Sequence, residues 1–156
     1  MVSIIVDYYN DNQKFDYFWS PLIHKHHETE FIFVDNESSI PLKEISPKLA
    51  NLKIFNIPHN KNNKVVQIFG ARQASNNLIF ITTINYIPTY QTMILLQGLN
   101  DNTILLPHIH NTNNVSSSFS AQKTNFLKSL TIQSYIKTYK PTIYSKCGVY
   151  DITKET

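Results

Sequence analysis

Glycine, cysteine and arginine are scarce in this chain of 156 residues, with 3 glycines, a single cysteine (Cys147) and one arginine (Arg72) among 14 basic residues. One cysteine excludes an intrachain disulfide and fits a reducing compartment. The basic residues are scattered and form no Lys/Arg run, although the net charge is +3. A surface that tracks nucleic-acid phosphates clusters its cations, so no DNA or RNA partner is expected. Charged residues make up only 16% of the chain, so solubility rests on Asn, Thr, Ser and Gln. The richness in Asn and poverty in Gly fit codon drift in an AT-rich genome and carry no functional message.

Long apolar runs are also absent. The stretch Met93–Leu96 falls far short of the roughly 20 residues that a membrane-spanning helix needs. The opening Val2–Val6 is broken by Asp7 and has no basic region before it, so it reads as a buried strand rather than a leader. A soluble, cytoplasmic protein is expected. Its length and its 42% hydrophobic content fit one domain with a sizeable core.

The apolar segments alternate in kind. Val2–Val6, Phe31–Val34, Leu52–Ile57 and Leu78–Ile81 are short β-branched or aromatic runs of the type buried on both faces in a parallel sheet. Between them, helical spacing runs from Lys14 to His24, with Pro21 inside it, over Pro41–Ala50, and from Val65 to Gln73. This alternation predicts a three-layer α/β domain with a mainly parallel sheet. Beyond it, a helix is expected over Tyr90–Leu99, a strand over Thr103–Ile109 and a loop over Asn111–Ser120. A helix over Phe126–Tyr139 and a strand over Tyr144–Thr153 complete the reading.

In such a sheet the ligand site lies beyond the carboxyl ends of the strands. The residues there are Asp7 to Asn12, Asp35 to Ser38, His59 to Asn63 and Thr82 to Asn85. Tyr9-Asn10 ends the first strand, and Asp35-Asn36-Glu37-Ser38 follows the second. Pro58-His59-Asn60 follows the third, and Gly70-Ala71-Arg72-Gln73-Ala74 precedes the fourth. In order and spacing these resemble the family 2 glycosyltransferases, which have the GT-A fold. Their pattern is Tyr-Asn after the first strand, Asp-Asp-Gly-Ser after the second, and Asp-x-Asp after the fourth. The resemblance covers about residues 2 to 88. It implies a single GT-A-like domain, with a nucleotide-binding half over 1–88 and a shortened acceptor side over 89–156.

The resemblance further implies a nucleotide sugar, in particular a UDP-sugar, as the ligand. Asp7 takes the place of a residue near the nucleobase, and Tyr9 offers a ring for stacking on a base. Asp35 and Asn36 take the places of aspartates that contact uracil and ribose. Asp35 also has a purely structural reading, as a turn residue capping the segment after it. Family members hold Mg²⁺ or Mn²⁺ with Asp-x-Asp, but here Thr82-Thr83-Ile84 stands in those places, followed by Asn85. Hydroxyls and an amide do not replace two carboxylate charges, so no metal site is expected at that strand end.

The acceptor side normally supplies a carboxylate base. The carboxylates after Asn85 are Asp101, Asp151 and Glu155, and Asp151, in Gly148-Val149-Tyr150-Asp151, is the candidate. The histidines His24, His26 and His27, and His108 with His110, read as solvated polar loops, since no cysteine pair supports zinc. On a strand, His108 and His110 would share a face. Cys147 reads as a small buried apolar residue. Three functions remain open: a nucleotide-sugar-dependent glycosyltransferase, a catalytically degenerate relative that binds a nucleotide sugar or supports a partner glycosyltransferase, and a pure interaction domain.

Overall fold

The structure, a computed structural model, describes residues 1–58 and 62–153. Its centre is a five-stranded sheet in the order β3-β2-β1-β4-β8. The strands are β1 (Val2–Tyr8), β2 (Glu30–Asn36), β3 (Leu52–Ile57), β4 (Leu78–Thr83) and β8 (Phe119–Gln122). The first four run parallel, and β8 closes the β4 edge antiparallel, with Ile81 opposite Phe119. The mainly parallel α/β architecture expected from the alternating segments is the one observed.

Both faces of the sheet are covered, which is why its strands read as continuous apolar runs. Val6, Tyr8, Phe33 and Phe80 pack on one face against Phe15, Trp19 and Ile23 of the first helical segment. That segment runs as α1 (Asn12–Lys14), a π-helical turn (Phe15–Trp19) and α2 (Ser20–Lys25). Proline at 21 lacks the N–H for a regular ladder and crowds the carbonyl one turn back, and the wide turn directly before it relieves this. Ile5, Ile32, Val34 and Ile81 face the other way, under α4 (Asn63–Gln73). Helix α4 lies so close that a Cβ on Gly70 would stand 2.3 Å from Ile5 Cγ2. Only glycine fits there.

Glu30 ties the amino ends of the strands together. Its carboxylate accepts from Ser3 Oγ (2.6 Å), Ser75 N (2.8 Å), Ser75 Oγ (2.8 Å) and Lys53 Nζ (2.5 Å). Burial alone pushes this acid up, but the hydrogen bonds from Lys53, Ser3 and Ser75 outweigh it and hold the group at about 2.

The second half departs from its expected elements. The helix expected over Pro41–Ala50 is a single turn, α3 (Leu42–Ile45), because Pro47 forces Ser46 into an extended conformation. The strand expected over Thr103–Ile109 is split into β6 (Thr103–Leu105) and β7 (His108–Ile109), with Pro107 between them unable to continue a ladder. The helix expected over Phe126–Tyr139 is α6 (Lys123–Ser129) and α7 (Ile132–Tyr139), broken where Leu130 turns left-handed at φ 67° and Thr131 caps the next helix. The last strand divides into β9 (Thr142–Tyr144) and β10 (Gly148–Asp151). The loop expected over Asn111–Ser120 ends in β8, whose buried Phe-Ser-Ala-Gln sequence carries little β signal. Helix α5 (Tyr90–Gln97) lies close to its expected bounds. Its neighbour β5 (Tyr86–Pro88) joins β10 and β7 in a second, three-stranded sheet.

Candidate functional site

Strands β1, β2 and β3 step one way across the sheet, while β4 lies on the other side of β1. The direction of winding therefore reverses between β1 and β4, which opens a crevice at their carboxyl ends. Asp7 stands there, with Val34 and Thr83 as its register partners. Among the described residues no hydrogen bond or ion pair engages its carboxyl group. Burial pushes this acid up to about 6. A carboxyl half removed from water with no partner is costly to keep unless a ligand completes it.

Register sorts the other expected site residues by face. Asp7, Asn36 and Thr83 share the α4 side of the sheet, while Tyr8, Asp35 and Thr82 share the opposite side. Asp35 therefore does not stand beside Asp7. Its Oδ1 accepts from Ser38 N (3.1 Å) and its Oδ2 from Leu42 N (2.7 Å), so the buried carboxylate shapes the exit loop and caps α3. Asn36 is buried, and Tyr9 is exposed one residue beyond β1.

The exit loops of β1 and β2 are stitched to each other. Asn10 N donates to Ser38 Oγ (2.9 Å), and Asn10 Oδ1 accepts from Ser39 N (2.7 Å). Glu37 occupies the place of the glycine in Asp-Asp-Gly-Ser and keeps a left-handed φ of 63°. The backbone shape suited to glycine thus persists without it. His59 and Asn60, expected at the third strand end, lie outside the described residues.

The end of β4 is turned inward. Thr82, only 3% exposed, donates through Oγ1 to Tyr86 O (2.7 Å), and its hydroxyl lies 2.8 Å from Ser118 Oγ. Ile84 is buried in the core, its carbonyl accepts from Trp19 Nε1 (3.0 Å), and its N–H donates to Asp7 O (2.9 Å). Thr83 Oγ1 accepts from Asn85 N (3.3 Å). Two of the three places are closed to solvent, and none presents a carboxylate. These residues do not fit Mg²⁺ or Mn²⁺, which require several hard oxygens on one open centre. Among the described residues no group of three or more His, Cys, Asp or Glu is placed to hold a metal ion.

Asp151 pairs across β10–β5 with Tyr86, one residue beyond Asn85. Its Oδ1 accepts from Thr153 N (3.0 Å) and Thr153 Oγ1 (2.5 Å). The histidines lie apart from the crevice. His24 Nδ1 meets Ser20 O at 2.7 Å, and His26 Nδ1 lies 3.6 Å from Glu28 Oε1. His110 falls just beyond the two-residue β7, but its N–H still donates to Val149 O (2.8 Å), and His108 and His110 line one small pocket, as expected for residues on a shared face. Cys147 is buried as expected, and burial pushes its thiol up to about 11 despite a hydrogen bond with Thr92. Nothing in the residue pattern marks Ser118 as partner to Thr82, because the short β8 carries no strand signal of its own. The burial of Ile84 was foreshadowed only by its apolar side chain in a turn of polar ones.

Comparison with solved structures identifies this arrangement. The chain superposes on S. aureus TarS with a TM-score of 0.74 and 14% identity, covering 96% of this chain and 36% of that one. It superposes on the mannosyltransferase PcManGT from Pyrobaculum calidifontis, solved in complex with GDP-Man and Mn²⁺, with a TM-score of 0.72 and 10% identity. That match covers 96% of this chain and 56% of the other. Glucosyl-3-phosphoglycerate synthase from Mycobacterium tuberculosis, solved with Mn²⁺, UDP and phosphoglyceric acid, matches with a TM-score of 0.66 and 11% identity over 92% of this chain and 66% of that one. No protein-family model and no curated protein sequence matches the chain. The fold is that of GT-A glycosyltransferases, and the chain spans from about a third to two thirds of the length of these three solved chains. No helix among the described residues is long and apolar enough to cross a membrane.

Proposed function

We propose that this chain is a GT-A-derived module that binds the nucleotide part of a nucleotide sugar in the β1/β4 crevice without a divalent cation. The observation that carries this reading is Asp7, an unpartnered, half-buried carboxyl at the switch point of the sheet. A carboxylate accepts hydrogen bonds and repels phosphate, so its natural partner is an N–H edge of a base such as uracil or guanine. Asn36 and Asn85 add amides for base or sugar hydroxyls, and the exposed ring of Tyr9 is available for stacking. A UDP-sugar is the first candidate. In this reading residues 1–88 carry the nucleotide half of a single domain, and 89–156 form the acceptor side.

Transfer with inversion needs a base for the acceptor hydroxyl and stabilisation of the departing diphosphate. Asp151 is the base candidate, and among the described residues nothing at the end of β4 neutralises the diphosphate. The chain is therefore a catalytically degenerate glycosyltransferase that works by binding, or by supporting a partner glycosyltransferase, in the cytoplasm. Donor consumption by the isolated protein with candidate acceptors tests this. No turnover above background is expected, and robust turnover lost in Asp151→Asn would overturn it in favour of an active enzyme.

A further inference from the structure

Charge is unevenly shared along the chain. Most of the acids lie before Ile45, whereas from Asn102 to Tyr150 there are five lysines and no Asp or Glu. Lys123 is tied into the fold, where its Nζ donates to Ala74 O (2.5 Å). Lys137, Lys140 and Lys146 are all exposed. Among the described residues no hydrogen bond or ion pair engages their ammonium groups.

These three lysines punctuate one exposed ribbon, residues 137–146, which leaves α7 and forms β9. Lys140 turns left-handed at φ 46°, its N–H closing the helix on Ile136 O (3.0 Å), and Pro141 bars a further helical turn. Among the described residues β9 pairs with β6 alone, so its other edge carries no strand. Ile143 stands opposite Ile104 in that pair, and the two side chains point to the same face. Ile104 is buried in the core, but Ile143 stays 46% exposed, and Tyr139, whose ring lies 5.3 Å from that of Tyr135, stays 39% exposed. Apolar side chains therefore reach solvent between the lysines. The acid that the β6–β9 pairing brings alongside is Asp101, next to Asn102, whose carbonyl accepts from Thr142 N (2.6 Å). No ion pair joins Asp101 to Lys140.

From this arrangement we propose that the α7–β9 ribbon docks on an anionic phospholipid bilayer. Lys137, Lys140 and Lys146 meet the headgroups, while Ile143 and Tyr139 enter the boundary between headgroups and acyl chains. Anionic headgroups attract a surface of one sign, and long lysine stems let the ammonium groups stay in water while the apolar side chains between them are buried. Tyrosine suits the same boundary, with an apolar ring and a polar tip. A nucleic acid would use the cations but would leave the exposed Ile143 without a role. The ribbon shares no residue with the β1/β4 crevice, so its docking is independent of whether that crevice binds a nucleotide.

The test is co-sedimentation of the full chain with vesicles of phosphatidylcholine alone and of phosphatidylcholine with about 30% phosphatidylserine. Binding to the anionic vesicles only is expected, weakened at least tenfold when salt rises from about 0.1 M to about 0.5 M. Lys137→Gln, Lys140→Gln and Lys146→Gln should each weaken it about fivefold, and the triple variant about a hundredfold. Ile143→Ser is expected to weaken it several-fold and Ile143→Trp to strengthen it. The lysines are exposed, so their variants leave the fold intact, and Ile143→Trp keeps the apolar contribution readable if Ile143→Ser does not fold. The proposal fails if anionic vesicles do not bind, if neutral vesicles bind equally well, or if the triple lysine variant binds like the wild type. It also fails if Ile143→Trp leaves vesicle binding unchanged, because the ribbon would then read charge alone and suit an acidic macromolecule rather than a bilayer.

Discussion

The hydroxyls of Thr82 and Ser118 meet 2.8 Å apart, buried where β4 and β8 adjoin. In the Asp-x-Asp pattern the first of these places faces a metal and a diphosphate. Here it is a hydrogen bond inside the protein, and the same bond ties the antiparallel strand β8 to the end of the parallel sheet. The absence of the acidic motif is thus more than a difference of letters, because Thr82 and Ile84 are engaged in packing.

Ile84 gives the energetic consequence. It lies in the core, with its carbonyl bonded to Trp19 and its N–H to Asp7 O. Ile84→Asp is expected to destabilise the fold by about 3 kcal/mol or more, since it buries a carboxylate without a partner. Urea unfolding followed by circular dichroism measures this. A midpoint within error of the wild type would mean that the loop opens readily to solvent and that the motif could be rebuilt.

Glu30 governs the acid limb of stability. Its folded value of about 2 lies below the ordinary 4.5, so its contribution is fully present above about pH 4.5 and is lost as pH falls toward 2. Glu30→Gln should cost about 2 kcal/mol at neutral pH, after allowing for the exposed end of Lys53. The gap to the wild type should close in acid. Unfolding midpoints compared at neutral pH and near pH 3 check both statements.

Asp7 works in the opposite sense. Its folded value of about 6 lies above the ordinary 3.8, so the stability it contributes is present below about pH 3.8 and is lost as pH rises through 6. Asp7→Asn should therefore be more stable than the wild type at neutral pH, by about 1–2 kcal/mol given its partial exposure, and equal to it near pH 4. A gain in stability on removing a charge identifies a residue kept for something other than folding. Equal midpoints at neutral pH would remove that argument.

The parallel core was legible because buried strands leave continuous apolar runs, and Val2–Val6, Leu52–Ile57 and Leu78–Ile81 are such runs. The carboxyl-end location of Asp7 and the missing carboxylates at Thr82–Asn85 followed from order alone. The face on which each residue stands did not, because one position of register decides it, and this separates Asp35 from Asp7. The second half is less legible for a related reason. Its strands have two to four residues, Pro107 and Leu130 break elements that hydrophobic pattern would join, and β8 is recognisable only from its partner β4.

The account is tested most directly by calorimetric titration of the wild type and Asp7→Ala with UDP-glucose and GDP-mannose, each with and without Mn²⁺. Saturable binding of at least one nucleotide sugar is predicted, with the same affinity whether or not Mn²⁺ is present, and at least tenfold weaker in Asp7→Ala. Binding that tightens tenfold or more with Mn²⁺, or that is indifferent to Asp7, would contradict it.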